Sequence, residues 1–232
     1  MKKTNLDTAI LVFALSPEAE KVRKPFFALE KLGSLLQKDT LKKVQETGFD
    51  YYHFDESLQE GATFGERISQ AAQTIFNKGY HQLLIIGNDT PSLTSQILKK
   101  AALAICDQRG VAGLSKDGGL YLIGLSRKHF DKKSFKELAW QTKNLRNTFL
   151  ESLSSKNIST VCLPILNDID NFKDLYTIQY KPLGSILECI RAILRKLENN
   201  EKISCSNNKL LIRFVCQTIL GTRGSPATFF LQ

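Results

Sequence analysis

The sequence predicts an α/β fold: a mixed, mainly parallel sheet flanked by helices, with a helical appendage at the C-terminus. Three observations carry that expectation. Short apolar runs alternate with stretches of helical period along the first two thirds of the chain. Several of those runs are apolar throughout rather than alternating, as strands covered on both faces are. One of them, Leu83-Leu84-Ile85-Ile86, ends in Gly87-Asn88-Asp89-Thr90-Pro91, which delivers a carboxylate to the carboxyl edge of the sheet. Open α/β sheets bind their ligands at that edge.

Taken in order, the first run is Ala9–Ala14. Lys2-Lys3 ahead of it loosely imitates a secretory leader, but Asp7 stands just before the apolar residues and no small-x-small site follows. It reads as the first buried strand. Further strands are expected at Asp50–Phe54, Gln82–Ile86, Val111–Leu114, Leu120–Leu125 and Thr160–Ile165. Between them, Phe64, Ile68, Ala71, Ala72, Ile75 and Phe76 recur on one helical face. Leu93, Ile97, Ala101 and Ala104 form a second face, and Leu145, Phe149 and Leu153 mark a third. The Gly118-Gly119 pair feeding Leu120-Tyr121-Leu122-Ile123-Gly124-Leu125 suggests a tight turn into a buried strand, so the sheet is expected to be mixed. Composition shifts after about Leu175. Residues 1–178 are read as the α/β domain and 179–232 as a helical extension, with Leu183, Ile186, Leu187, Ile190, Leu194 and Leu197 on one face.

The bulk numbers bound the function. A chain of 232 residues with 42% hydrophobic content can bury a sizeable core. No apolar run approaches the ~20 residues that span a bilayer. Five scattered cysteines, odd in number and without metal spacing, read as buried free thiols of a reducing cytoplasm. The net charge of +9 is spread along helices without aromatic interleaving, so no nucleic-acid surface is signalled. It suits an anionic small molecule such as a nucleotide.

Four places can carry chemistry. Asp89, with Gly87 giving room, can hold a divalent cation and through it a diphosphate; as an alternative it caps a helix that begins at Pro91. Asp117-Gly118-Gly119 lets a ligand approach the backbone beside a carboxylate, or is an ordinary Asp-Gly turn. In Asn167-Asp168-Ile169-Asp170, carboxylates at alternate positions follow an apolar strand and can converge on a metal, although Asp170 could equally cap a helix before Phe172. Glu66 opens a helix and suits its macrodipole. His53, His81 and His129 form no Ser-His-Asp arrangement, and no nucleophile elbow, P-loop or Gly-x-Gly-x-x-Gly is present. No catalytic residue is named.

The order of these segments resembles one bacterial family. Gly65-Glu66-Arg67, Gly87-Asn88-Asp89-Thr90-Pro91, Asp117-Gly118-Gly119-Leu120-Tyr121-Leu122-Ile123-Gly124-Leu125, Trp140-Gln141-Thr142 and Asp168-Ile169-Asp170 together are similar to the GT-A-like glycosyltransferases related to arsenosugar biosynthesis, within the nucleotide-diphosphosugar transferase superfamily. The resemblance implies a Rossmann-like, three-layer α/β/α GT-A domain that transfers a glycosyl group from a nucleotide-diphosphate sugar. It implies Mg²⁺ or Mn²⁺ held by Asp89 and Asp170, with Asp117, Gly118 and Gly119 along the substrate. Nucleotidyl transfer is a neighbouring possibility, and apolar C-terminal helices would suit a homodimer. One departure stands out. The family's phosphate-cradling loop after the first strand corresponds to Ser16–Phe26, where Glu20 replaces a glycine, Arg23 a lysine and Pro25 an arginine. Arg23 and Lys24 are left to meet a phosphate. A GT-A-like domain that binds without catalysing is therefore the alternative expectation.

Overall fold

Six strands form one sheet in the order β2-β1-β3-β5-β4-β6. The computed structural model describes residues 7–24, 31–106, 109–171, 173–175, 186 and 188–195. The strands are β1 (Thr8–Phe13), β2 (Asp50–Phe54), β3 (Gln82–Ile86), β4 (Arg109–Ser115), β5 (Leu120–Ser126) and β6 (Ser159–Leu166). Around them lie α1 (Pro17–Arg23), α2 (Leu32–Gln45), α3 (Phe64–Asn77), α4 (Ser95–Ala104), α5 (Lys132–Lys136) and α6 (Leu145–Ser154). β1 pairs in parallel with β2 and β3, and β4 with β6; β5 alone is antiparallel, inserted between β3 and β4. The expected mixed, mainly parallel sheet is therefore present. The carboxyl ends of β1, β3, β4 and β6 all point to one edge.

Continuous apolar runs become central strands because both of their faces are covered. In β1, Ala9, Leu11 and Phe13 face one cluster with α3 residues Ile68, Ala72, Ile75 and Phe76 and with Phe149 of α6. Ile10 and Val12 face the other, with Val44 of α2 and Leu98 and Ala101 of α4. The period of two along the strand thus divides one run between two helical layers. Gly124 is what lets β5 sit inside the sheet: a Cβ there would stand 3.0–3.1 Å from side-chain atoms of Val111, Ile105 and Leu84. The edge strands β2 and β6 carry the exposed positions.

Two expectations about helix starts are corrected. The helix after β3 begins at Ser95, not Pro91. Thr90–Leu93 forms a turn in which the Leu93 N–H donates to the Thr90 carbonyl at 3.0 Å, and the Thr94 hydroxyl caps α4 by accepting from the Ile97 N–H at 3.2 Å. Leu93 is buried ahead of that helix; Leu98, Ala101 and Ala102 are its fully buried residues, and Ile97 and Ala104 pack partly buried against the same cluster. The Ser16–Phe26 stretch is not a loop through Arg23. Ser16 accepts from the Ala19 N–H at 3.2 Å and caps α1, with Pro17 in the first turn. Pro25 and Phe26 lie outside the described residues.

Of the C-terminal extension, residue 186 and residues 188–195 are described and helical. Ile186, Ile190, Ile193 and Leu194 pack with Leu32 and Leu36 of α2 and with Ile169. Leu183, Leu187, Leu197 and everything beyond residue 195 lie outside the described residues. Among the described cysteines, Cys189 is buried, Cys106 half-buried and Cys162 exposed. Cys162 departs from expectation because it sits on the open face of the edge strand β6. Among the described residues, no helix is long and apolar enough to cross a membrane.

Candidate functional site

The carboxyl edge of the sheet opens into a cleft of about 570 Å³. Its charged wall is assembled from three distant segments. Asp89 follows β3, with Gly87 clearing its path: a Cβ at position 87 would lie 3.2 Å from the Asp89 Oδ1. With Thr94 as the α4 cap, Asp89 is free of that duty. Its carbonyl accepts from the Ile169 N–H at 2.8 Å, which fastens the post-β3 turn to the post-β6 loop. Ile169 is fully buried in the third apolar cluster. The residues on either side of it, Asp168 and Asp170, are thereby held at the cleft.

Lys24, at the C-terminal cap of α1, binds this wall together. Its Nζ donates to Asp170 Oδ1 at 2.9 Å, to Asp89 Oδ2 at 3.0 Å and to the Ile169 carbonyl at 3.2 Å. Glu20, one turn earlier, lies 3.8 Å from the same ammonium. An ammonium has three donors, and here three protein oxygens take them. Burial works against the Lys24 charge, but Asp89, and after it Asp170, hold its pKa above the ordinary lysine value. Burial pushes the Glu20 and Asp170 carboxyls up, and Lys24 only partly offsets it.

Asp168 is different. Thr90 Oγ1 donates to its Oδ1 at 2.5 Å, and the buried Ser115 hydroxyl donates to its Oδ2. Burial, then repulsion from Asp89, pushes its pKa up to about 7 against the pull of those two hydroxyls. Tyr121 reaches across β4, over Gly113, and donates to the Pro164 carbonyl at 2.9 Å; a Cβ at position 113 would strike that ring at 2.5 Å. The Tyr-Leu-Ile-Gly-Leu segment thus serves the packing of the sheet beneath the site.

Asp117, in the β4–β5 turn, lines the cleft but turns back on itself: its Oδ1 accepts from the Gly119 N–H at 2.9 Å. Gly118 has φ +98°, a left-handed conformation that glycine accepts freely, and a Cβ there would come within 2.7 Å of the Lys143 carbonyl. Arg23 is exposed at the rim. Opposite the charges stands an aromatic wall. Phe13, Phe64 and Trp140 follow one another with ring centroids 5.5 Å apart, and Trp140 meets Phe135 at 5.1 Å. Gly65 is the close approach behind it, 2.2 Å from the Lys136 carbonyl for any added Cβ. Glu66 is occupied as half of a capping box with Thr63 and takes no part in the site.

The structure thus brings Lys24, Asp89, Asp117, Asp168 and Asp170 to one cleft. Lys24, expected to meet a phosphate, meets the two expected metal ligands. Asp168 was passed over for Asp170. The signal for it was the apolar Ile169 between two carboxylates, which anchors the loop and sends its neighbours to different surroundings. The expected Mg²⁺ or Mn²⁺ does not fit the residues as placed. An ion taking an oxygen from each of Asp89 and Asp170 would share their space with the Lys24 ammonium, cation against cation. Among the described residues, no three His, Cys, Asp or Glu side chains are grouped to hold a metal.

Residues 36–142, from α2 to the Trp140-Gln141-Thr142 segment, match the family model described as an uncharacterized protein conserved in bacteria (DUF2064). The matched segment carries Asp89 and Asp117; Lys24, Asp168 and Asp170 come from outside it. No curated protein matches the chain. Among solved structures, the chain is similar to a candidate nucleotide-diphospho-sugar transferase from Desulfovibrio desulfuricans G20. The two are 23% identical over 82% of this chain and 98% of that one, with a TM-score of 0.71. The likeness is one of fold. A glycosyltransferase involved in glycosylation of the major capsid of PBCV-1 is 12% identical over 81% of this chain and 98% of its own, with a TM-score of 0.44, too distant to bear on the argument.

Proposed function

We propose that the cleft binds a nucleotide-diphosphate sugar and that the protein transfers its glycosyl group. The observation that carries this reading is the meeting of Lys24, Asp89 and Asp170 at the carboxyl edge of the sheet, facing an aromatic wall across one cleft. Rings lining the cleft suit the flat or apolar-faced ends of a ligand, and Arg23 and Lys24 are the cations there for a diphosphate to meet. The fold shared with the Desulfovibrio protein, whose printed name is that of a nucleotide-diphospho-sugar transferase, supports it. In such a transfer the bond from the sugar's anomeric carbon to the diphosphate oxygen breaks. The electron pair leaves with the nucleoside diphosphate, and the acceptor hydroxyl oxygen bonds to the anomeric carbon while its proton passes to water. Arg23 and Lys24 are the cations of α1 beside the leaving group, and fixed positive charge there stabilises it as it forms.

A second reading, binding without transfer, is favoured by one observation. All three Lys24 donors are spent on protein oxygens, with Glu20 close by. A diphosphate oxygen reaches this ammonium only by displacing one of them.

Thermal unfolding with a panel of nucleoside diphosphates and nucleotide sugars tests the site. Saturation at about 100 times Kd adds roughly 2.7 kcal/mol, some 5–10 °C for a domain of this size. The rise is expected to vanish in Asp89→Ala. No shift with any nucleotide sinks both readings. Stabilisation by a nucleotide sugar without release of nucleoside diphosphate, with water or added sugars as acceptors, leaves the binding protein.

A further inference from the structure

We propose that Lys24 is the built-in cation of this site: its ammonium takes the place of a divalent metal ion between Asp89 and Asp170, and its removal turns the pair into a metal site. The inference concerns the same cleft but does not require the nucleotide reading.

Two carboxylates from different segments converge on one point. One Asp89 oxygen and one Asp170 oxygen lie 3.0 and 2.9 Å from that point, and the Ile169 carbonyl lies 3.2 Å from it. Three oxygens from three residues around one cation are a hard-cation donor set in kind, with distances that are those of an ammonium. The cation is covalently attached and well placed: the Lys24 side chain is only 17% exposed, against 29% for Asp89 and 47% for Asp170. It is delivered by α1, the element that stands where a phosphate-cradling loop was expected. The Ser16 cap fixes the start of that helix, and Ser16 is itself tied to Glu56, its N–H donating at 2.7 Å and its hydroxyl at 2.6 Å.

The charge balance of the pocket explains why a cation must be there. Asp89 raises the proton affinity of Glu20, Asp168 and Asp170, and Asp170 raises that of Glu20 and Asp168. Without Lys24 the nearby cation of α1 is Arg23, exposed at the rim. The remaining carboxylates and the Ile169 carbonyl would then draw in a divalent ion. With Lys24 present, an ion entering between Asp89 and Asp170 must first expel the ammonium from all three of its partners.

Mn²⁺ titration followed by the loss of the free-ion EPR signal tests this on the full chain without any nucleotide. Wild type is expected to leave the Mn²⁺ signal unchanged over the range in which Lys24→Met depletes it. An affinity gain of about tenfold or more corresponds to roughly 1.4 kcal/mol. The gain should disappear in the Lys24→Met, Asp89→Ala double variant, and Lys24→Arg, which keeps a cation in place, should behave as wild type. Wild-type Mn²⁺ binding that is lost in Asp89→Ala overturns the proposal, as does a folded Lys24→Met that binds no more Mn²⁺ than wild type. Should Lys24→Met fail to fold, the wild-type and Lys24→Arg titrations decide: silence in both supports it, and Asp89-dependent binding in either overturns it. Nucleotide-sugar stabilisation abolished by EDTA in wild type would also overturn it. An absence of any nucleotide effect would strike only the transferase reading.

Discussion

The two walls of the cleft are held by different forces. The aromatic wall, Phe13, Phe64 and Trp140, is an outcrop of the hydrophobic core, with Phe135 packed behind it on the α3–α5 side of the sheet. The charged wall, Lys24, Asp89, Asp168 and Asp170, is backed by the core only through Ile169, between two of its carboxylates. It is made of ion pairs and hydroxyl bonds between loops. The difference teaches where to look for stability and where for specificity. Area removed from water stabilises one wall in proportion to its size. The other wall gains little net energy from its charges, because desolvation offsets their attraction, and it fixes geometry instead.

The sharpest way to break the comparison is at Trp140. Its indole N–H donates to the Phe135 carbonyl at 2.8 Å, and its ring joins Phe64 to Phe135. Trp140→Ala should lower unfolding free energy by about 2–3 kcal/mol, below the roughly 3–5 kcal/mol of fully buried large aromatic truncations because the residue is half-buried. Urea denaturation measures it. An effect under about 0.5 kcal/mol would mean the wall is not part of the core.

Next is Asp168→Ala, which leaves the buried Ser115 and Thr90 hydroxyls without their acceptor. About 2 kcal/mol is expected, and urea denaturation again reads it. The pH dependence belongs to the same residue. The folded pKa of Asp168 is about 7, raised from an ordinary 3.8. The folded state therefore holds a proton that the unfolded chain has already released. This contribution is fully present below about pH 4 and is lost as pH rises towards 7. Glu20 and Asp170, also raised, act with the same sign. Asp168→Asn should flatten the fall in stability over that window. An identical slope in wild type and variant would show that Asp168 titrates normally.

The smallest effect sits at the base of the charged wall. Ser16→Ala removes the α1 cap and the hydroxyl bond to Glu56, leaving the backbone N–H bond, and should cost about 1 kcal/mol. If the walls are as distinct as described, it should weaken any Asp89-dependent ligand effect more than Trp140→Ala does, despite its smaller stability change.

All six strands were legible in the sequence to within one or two residues, β1 and β3 most clearly because burial on two faces writes itself into a continuous apolar run. The antiparallel β5 was legible from the glycine pair before it. The two helix starts differ for opposite reasons. Pro91 looks like a first helical residue, yet Thr90–Leu93 closes a turn and the hydroxyl of Thr94 takes over as cap. Ser16-Pro17-Glu18 carries a sound helix-start signal, and the helix forms there where the resemblance implies a loop. The convergence of Asp89 and Asp170 could be anticipated from strand ends. The lysine between them could not, since nothing in local periodicity reports which side chain crosses a sheet edge.

The span of the Lys24 contacts has a kinetic consequence. They join residues 65 and 146 positions apart in the chain. Such closures carry a large entropic penalty until the segments between them are already ordered. The ammonium can reach both carboxylates only after β1, β3 and β6 have taken their places. The charged wall is thus a late event in folding, assembled on a finished sheet by a knot of contacts from near both ends of the described chain.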